Sequence, residues 1–184
     1  MTTQYEKYYE KCRMDSGKYL AMRTKGRTYF GYAVLTTKAL EQLKPYAPFI
    51  EVGAGSGYWA YEFKKYGIKI VATDRMSLKK NTYRFSKQWT TVKLMTAKQA
   101  ASKYSKHTLL MVWPSYNDPW AYEALKAYKG KTFVYCGEGM CGCTADDAFH
   151  ELLQTKWKLT VVIDIPQWFG VHDSLEVYSR KDYS

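Results

Sequence analysis

From residue 49 onward, short apolar runs alternate with amphipathic stretches. Runs at 49–52, 68–73, 108–113 and 132–136 have the length and residue types of buried strands. The run at 108–113 is apolar enough to predict burial on both faces. Weaker patterning predicts a strand at 91–95, and two more follow at 158–165 and 175–179. Between them the spacing predicts helices over 58–66, 77–87, 97–104, 118–128 and 144–154. The last would open with Thr144 as N-cap and Asp147 three positions on. Ahead of these lies a Tyr- and Lys-rich stretch. Tyr5, Tyr8, Tyr9 and Cys12 have helical spacing, and a further helical stretch at 37–44 ends at Pro45 and Pro48. An aromatic run, Tyr29-Phe30-Gly31-Tyr32, separates the two.

Repeated strand–helix units closed by two strands with no helix between them predict an α/β fold. The expectation is a seven-stranded, mostly parallel sheet with helices on both faces and a terminal antiparallel hairpin. Residues 1–47 form an N-terminal helical extension and a candidate lid; residues 48–184 form the core. Ligands of such sheets sit beyond the carboxyl ends of the strands, where strand order reverses. The loop that would serve reads Glu51-Val52-Gly53-Ala54-Gly55-Ser56-Gly57-Tyr58-Trp59. Its glycines permit a tight turn and a close approach of ligand to backbone, and the helix that follows presents free N–H groups.

A dinucleotide site places its third glycine three residues after the second. Here Gly57 follows Gly55 by two, and an acid, Glu51, stands two residues before Gly53. Asp74 ends the second strand. This constellation resembles the cofactor motifs of class I S-adenosylmethionine-dependent methyltransferases, over residues 48 to 180 or so. The resemblance implies a Rossmann-like methyltransferase domain with S-adenosylmethionine as cofactor. Glu51 would lie near the methionine ammonium, and Gly53, Ala54, Gly55, Gly57, Tyr58 and Trp59 would form the cradle. Asp74, with Arg75 beside it, would take the ribose hydroxyls. Thr96 stands where that family often has an acid facing adenine.

After the fourth strand the chain reads Trp113-Pro114-Ser115-Tyr116-Asn117-Asp118-Pro119-Trp120. It is similar to the Asn- or Asp-Pro-Pro-aromatic motif of methyltransferases acting on amino groups of bases. In that family the polar side chain and a proline carbonyl accept hydrogen bonds from the amine, and the ring stacks on a flipped base. Pro114, Tyr116 and Asp118 are therefore the catalytic candidates. Trp113 departs from the motif because an indole cannot accept a hydrogen bond, and it is assigned to the cofactor side. Tyr29, Tyr32, Asn117 and His172 are candidate substrate contacts.

Charge sharpens the question of the acceptor. The net charge is +11, and residues 64–106 hold twelve Lys or Arg against one acid, Asp74. Such a segment attracts polyanions, so nucleic acid is the expected partner. A small molecule or a protein side chain is the alternative acceptor, and a catalytically inactive S-adenosylmethionine-binding partner subunit is the non-enzymatic alternative. Cys12, Cys136, Cys141 and Cys143 form no zinc pattern, so no metal is expected. With no secretory signal and no membrane span in view, a reduced, cytoplasmic location is expected.

Overall fold

The computed structural model describes residues 2–15 and 17–181. Seven strands form one sheet: β1 (Phe49–Val52), β2 (Ile70–Asp74), β3 (Lys93–Leu94), β4 (Thr108–Val112), β5 (Thr132–Gly137), β6 (Trp157–Ile163) and β7 (Ser174–Arg180). Their order is β3-β2-β1-β4-β5-β7-β6. β1 pairs in parallel with both β2 and β4, so the strand order reverses beside β1. β7 lies antiparallel to β5 and to β6, which gives the expected terminal hairpin.

Seven α-helices accompany the strands among the described residues: α1 (Gln4–Arg13), α2 (Tyr19–Tyr29), α3 (Thr37–Leu43), α4 (Tyr58–Lys65), α5 (Ala97–Lys103), α6 (Trp120–Ala127) and α7 (Asp147–Lys156). They cover both faces of the sheet because strand side chains alternate. Phe49, Leu110 and Val134 point to the face packed by α1, α3 and α4. Ile50, Leu109, Met111 and Phe133 point to the face packed by α5, α6 and α7. The extension is built into the first face: Tyr5, Cys12, Leu35, Leu40 and Leu43 are fully buried there. No helix is long and apolar enough to cross a membrane among the described residues.

Four local expectations need correction. The basic stretch 77–87 is not an α-helix; it holds a single 3-10 turn, Leu78–Lys80, and Arg84 takes a left-handed backbone with φ 54°. Its backbone and side chains are instead engaged by distant partners: Ser86 N–H donates to the Thr28 carbonyl at 2.8 Å, and Trp89 N–H to the Ser56 carbonyl at 2.9 Å. These tertiary contacts override the helix propensity of Lys and Arg. β3 is only two residues long. α7 starts at Asp147 behind an Asp146 cap, because the Thr144 hydroxyl is committed to Tyr135 and to Glu138. α2 was not expected from the sequence, since Gly26 interrupts it. That glycine admits the rings of Tyr8 and Tyr5 to 3.0 and 3.3 Å of where a Cβ would stand, a close approach in which an added methyl would require the rings to shift by a few tenths of an ångström.

Candidate functional site

The carboxyl ends of β1, β2 and β4 open onto a cavity of about 630 Å³, within the range of small-molecule sites. β1 delivers the glycine loop. Gly53, Gly55 and Gly57 all have positive φ (69°, 52° and 72°), so each occupies a backbone region that favours glycine. The Trp120 ring lies 2.9 Å from where a Cβ on Gly53 would stand, and the Phe85 ring 2.5 Å from that of Gly55. Two aromatic side chains thus use the bare backbone of the loop.

β2 delivers Asp74, whose carboxylate organises the cavity floor. Oδ2 accepts the Gly55 N–H and Oδ1 the Met76 N–H, both at 2.9 Å. The acid therefore fixes the glycine loop against β2, and each oxygen keeps a second lone pair for a ligand.

Glu51 is the electrostatic anomaly of the site. It is 3% exposed and lines the cavity, and its Oε2 has no hydrogen-bond partner among the described residues. Burial pushes its pKa up to about 8; the Ala60 N–H opposes this and the Asp74 charge adds to it. A buried carboxyl with an idle oxygen at the start of α4 is a ready acceptor for a cationic donor, and a poor neighbour for a pyrophosphate.

The opposite wall comes from the extension, from residues 75–92 and from the loop after β4. Tyr32 stacks on Trp113, with centroids 5.0 Å apart and planes 24° apart, and the Arg27 guanidinium lies 4.4 Å from the Tyr32 ring centre. Tyr83 donates to the Ser115 hydroxyl at 2.7 Å, and Arg75 meets Asp118 at 3.2 Å; both bridges span the rim. Tyr116 stands 69% exposed at the mouth.

Most of the residues named from sequence line this cavity: Glu51, Gly53, Ala54, Gly55, Tyr58 and Trp59 from β1 and α4; Asp74, Arg75 and Thr96 beyond β2 and β3; and Tyr32, Trp113, Tyr116, Asn117 and Asp118 opposite. Four are not among its walls. Gly57 is buried as the N-cap of α4. Tyr29 packs edge-on against Phe30 and Trp89. Pro114 is buried behind the cavity, and its carbonyl accepts the Ala145 N–H at 3.2 Å. The exposed His172 donates its backbone N–H to Glu138. Glu138 uses its other oxygen for the Cys143 N–H at 2.7 Å; burial pushes its pKa up, but these two donors prevail and hold it below the usual value. Phe30, from the aromatic run at 29–32, is a wall, and sequence reasoning missed Asn81, Tyr83, Phe85, Ser115 and Trp120. The aromatic residues set among the lysines of 77–89 were the one available signal.

No protein-family model and no curated protein sequence matches the chain. Solved structures do match in fold. Magnesium protoporphyrin IX methyltransferase from Synechocystis PCC 6803, solved with S-adenosylmethionine, aligns over 97% of this chain and 92% of its own, with TM-score 0.56 and 9% identity. An S-adenosylmethionine-dependent methyltransferase from Anabaena variabilis aligns over 74% and 78%, with TM-score 0.51 and 12% identity. A protein of the NADB-Rossmann superfamily from Streptococcus agalactiae aligns over 79% and 68%, with TM-score 0.50 and 13% identity. The chain has the fold of class I S-adenosylmethionine-dependent methyltransferases: a seven-stranded α/β sheet with its reversal at β1 and its hairpin at the far edge.

Proposed function

We propose that the chain binds S-adenosylmethionine in this cavity and is a methyltransferase whose acceptor is carried by nucleic acid. The observation that carries the cofactor reading is the buried, unpartnered oxygen of Glu51 beside the glycine loop. It matches the ammonium of a methionine moiety, and the fold's ligand-binding end is where it stands. The idle lone pairs of Asp74 suit two ribose hydroxyls. Thr96 caps α5 by accepting the Gln99 N–H at 3.3 Å, which leaves its hydroxyl proton for a base nitrogen. Bound there, S-adenosylmethionine would supply an electrophilic methyl on a sulfonium that leaves as a neutral thioether. The chain's part is to hold the two reactants in line and exclude water, and transfer from a sulfonium does not depend on a general base at the acceptor end. Asp118 in particular is engaged by Arg75 and by the Trp120 N–H.

The nucleic-acid reading rests on placement. Exposed Lys79, Lys80 and Arg84 belong to the same segment that supplies the walls Asn81, Tyr83 and Phe85, and exposed Tyr116 stands at the mouth. Cations flanking accessible rings suit a phosphate backbone with unstacked bases. One observation favours a small acceptor instead: the Tyr83–Ser115 and Arg75–Asp118 bridges narrow the rim.

The test has two steps. S-adenosylhomocysteine should raise Tm and NAD should not; no shift with S-adenosylhomocysteine removes the cofactor reading. Radiolabelled S-adenosylmethionine incubated with RNA, DNA and a small-molecule extract should then label a nucleic-acid fraction, and label confined to small molecules selects the other acceptor.

A further inference from the structure

Trp113 occupies the junction between β4 and the candidate acceptor side in a left-handed backbone, φ 49°, which is unusual for a bulky residue. Its position is held from outside the cavity. The indole Nε1–H donates to Asp173 Oδ2 at 3.0 Å. Asp173 is 2% exposed and is not a cavity wall. Its second oxygen, Oδ1, is buried with no partner among the described residues. Gln167 Nε2 donates to the Asp173 carbonyl at 2.7 Å, and Glu138 grips the adjoining His172 N–H, so the loop carrying the acid is itself fixed.

We infer that Asp173 is a positioning residue for methyl transfer: it locks the Trp113 indole as a fixed wall against which a planar acceptor ring is presented. This rests on the methyltransferase reading of the cavity. The geometry favours the role over simple packing. A buried carboxylate serving one indole N–H with one oxygen, and nothing with the other, is a costly way to fill space. It does fix the direction of that N–H, and the Tyr32 stack sets the ring plane about that axis. The same ring carries Tyr32 in a stack, so its orientation fixes two of the aromatic walls together.

The groups facing Asp173 are Tyr5 and Tyr9 from α1, Arg23 from α2, Cys136 on β5 and Glu138 just after it. Burial pushes the Asp173 pKa up to about 6, against the Trp113 N–H, its own backbone and the Arg23 charge. The two tyrosines and Cys136 are pushed upward and Glu138 is held low, so none of these shares the Asp173 window.

The experiment follows the indole N–H signals by NMR from about pH 5 to pH 7.5 in a His172→Gln background, which removes the adjoining imidazole. The chain has six tryptophans, and a Trp113→Phe variant identifies the signal in question. That signal should shift with a midpoint near the Asp173 value; the midpoint should vanish in Asp173→Asn, which keeps an acceptor oxygen. In the acid-containing parent, Asp173→Ala should lower methyl transfer to the fraction labelled by the unmodified protein by about tenfold or more at saturating S-adenosylmethionine. Asp173→Asn should retain most of the rate, and the Tm shift with S-adenosylhomocysteine should persist in both. A Trp113 signal that is insensitive to pH and to Asp173→Asn overturns the inference, as does an unchanged rate in Asp173→Ala. Loss of the S-adenosylhomocysteine shift in Asp173→Asn also overturns it, since the residue would then serve the cofactor end. If Asp173→Ala does not fold, the pH titration of the Asn pair decides. Absence of any S-adenosylhomocysteine shift in the unmodified protein refutes the cofactor reading instead, whatever the indole shows.

Discussion

Glu51 shows how one residue couples stability to ligand binding. Its native pKa is near 8 against an ordinary 4.5, so the native state holds this proton more tightly than the unfolded chain does. Its contribution to stability is therefore complete below about pH 4.5 and declines as pH rises through 8. Glu51→Gln imitates the neutral acid and removes that decline. The variant should match the unmodified protein in Tm at about pH 4 and exceed it above about pH 8. Binding should move the other way. A charge-assisted hydrogen bond contributes about 1.5–3 kcal/mol, so the variant should bind S-adenosylmethionine roughly 10- to 150-fold more weakly. Titration calorimetry in buffers of different ionisation enthalpy, at about pH 6.5, supplies a second measure: binding should release a proton from Glu51 in the unmodified protein and not in the variant. Equal affinity and equal proton release in the two proteins would exclude Glu51 from ligand binding. The acid was visible in the sequence by its position before the glycines. Its idle oxygen was not, because an unpartnered atom is a property of packing.

At the scale of elements, the glycine loop was legible and its cover was not. Strand, glycines and helix follow one another in sequence, and each glycine has the local φ that its identity permits. Residues 77–89 are different. They contain good helix formers, yet the segment crosses the cavity and spends its aromatic residues on distant partners: Phe85 on Gly55, Tyr83 on Ser115 and Trp89 against Phe30. Such long-range matches leave no period in the sequence. The Asp74 clamp on Gly55 was likewise hidden, although the acid itself was found. Gly55→Ala tests how the cover and the loop are coupled. The added methyl meets Phe85 at 2.5 Å and the residue keeps a φ of 52°, a conformation costing about 1–2 kcal/mol for alanine. Gly55→Ala should lower Tm and weaken S-adenosylhomocysteine binding. Adding Phe85→Ala removes the steric part alone, so the Tm loss for Gly55→Ala should be smaller in a Phe85→Ala background than in the unmodified protein. Additive losses would show that Phe85 does not rest on the loop in solution.

For the whole molecule, the glycine loop after β1 marked in sequence where a ligand would sit, and the strand order in the structure puts the reversal beside that strand. The extension was harder to place. Its tyrosines serve core and surface alike, and only the structure shows Tyr5 sealed at 0% exposure while Tyr8, Tyr9, Tyr19 and Tyr29 are partly buried. Charge distribution is the remaining property at this scale, and it bears on the acceptor. Residues 64–106 carry a net +11 while 107–184 carry −3, so one portion of the chain dominates the field. Within it, Lys79, Lys80 and Arg84 are exposed, and no ion pair is formed by them among the described residues. If these three contact phosphates, replacing them together (Lys79→Glu, Lys80→Glu, Arg84→Glu) should reduce RNA retention at low salt. It should also flatten the dependence of log K on log salt by about 2, at roughly 0.7 per phosphate on a single strand. The substitutions lie on exposed positions outside the cavity walls, so the Tm shift with S-adenosylhomocysteine should be preserved. RNA retention and salt slope unchanged by the triple reversal would detach the basic segment from the acceptor and leave the aromatic wall of Tyr32, Tyr83 and Trp113 as the feature that selects it.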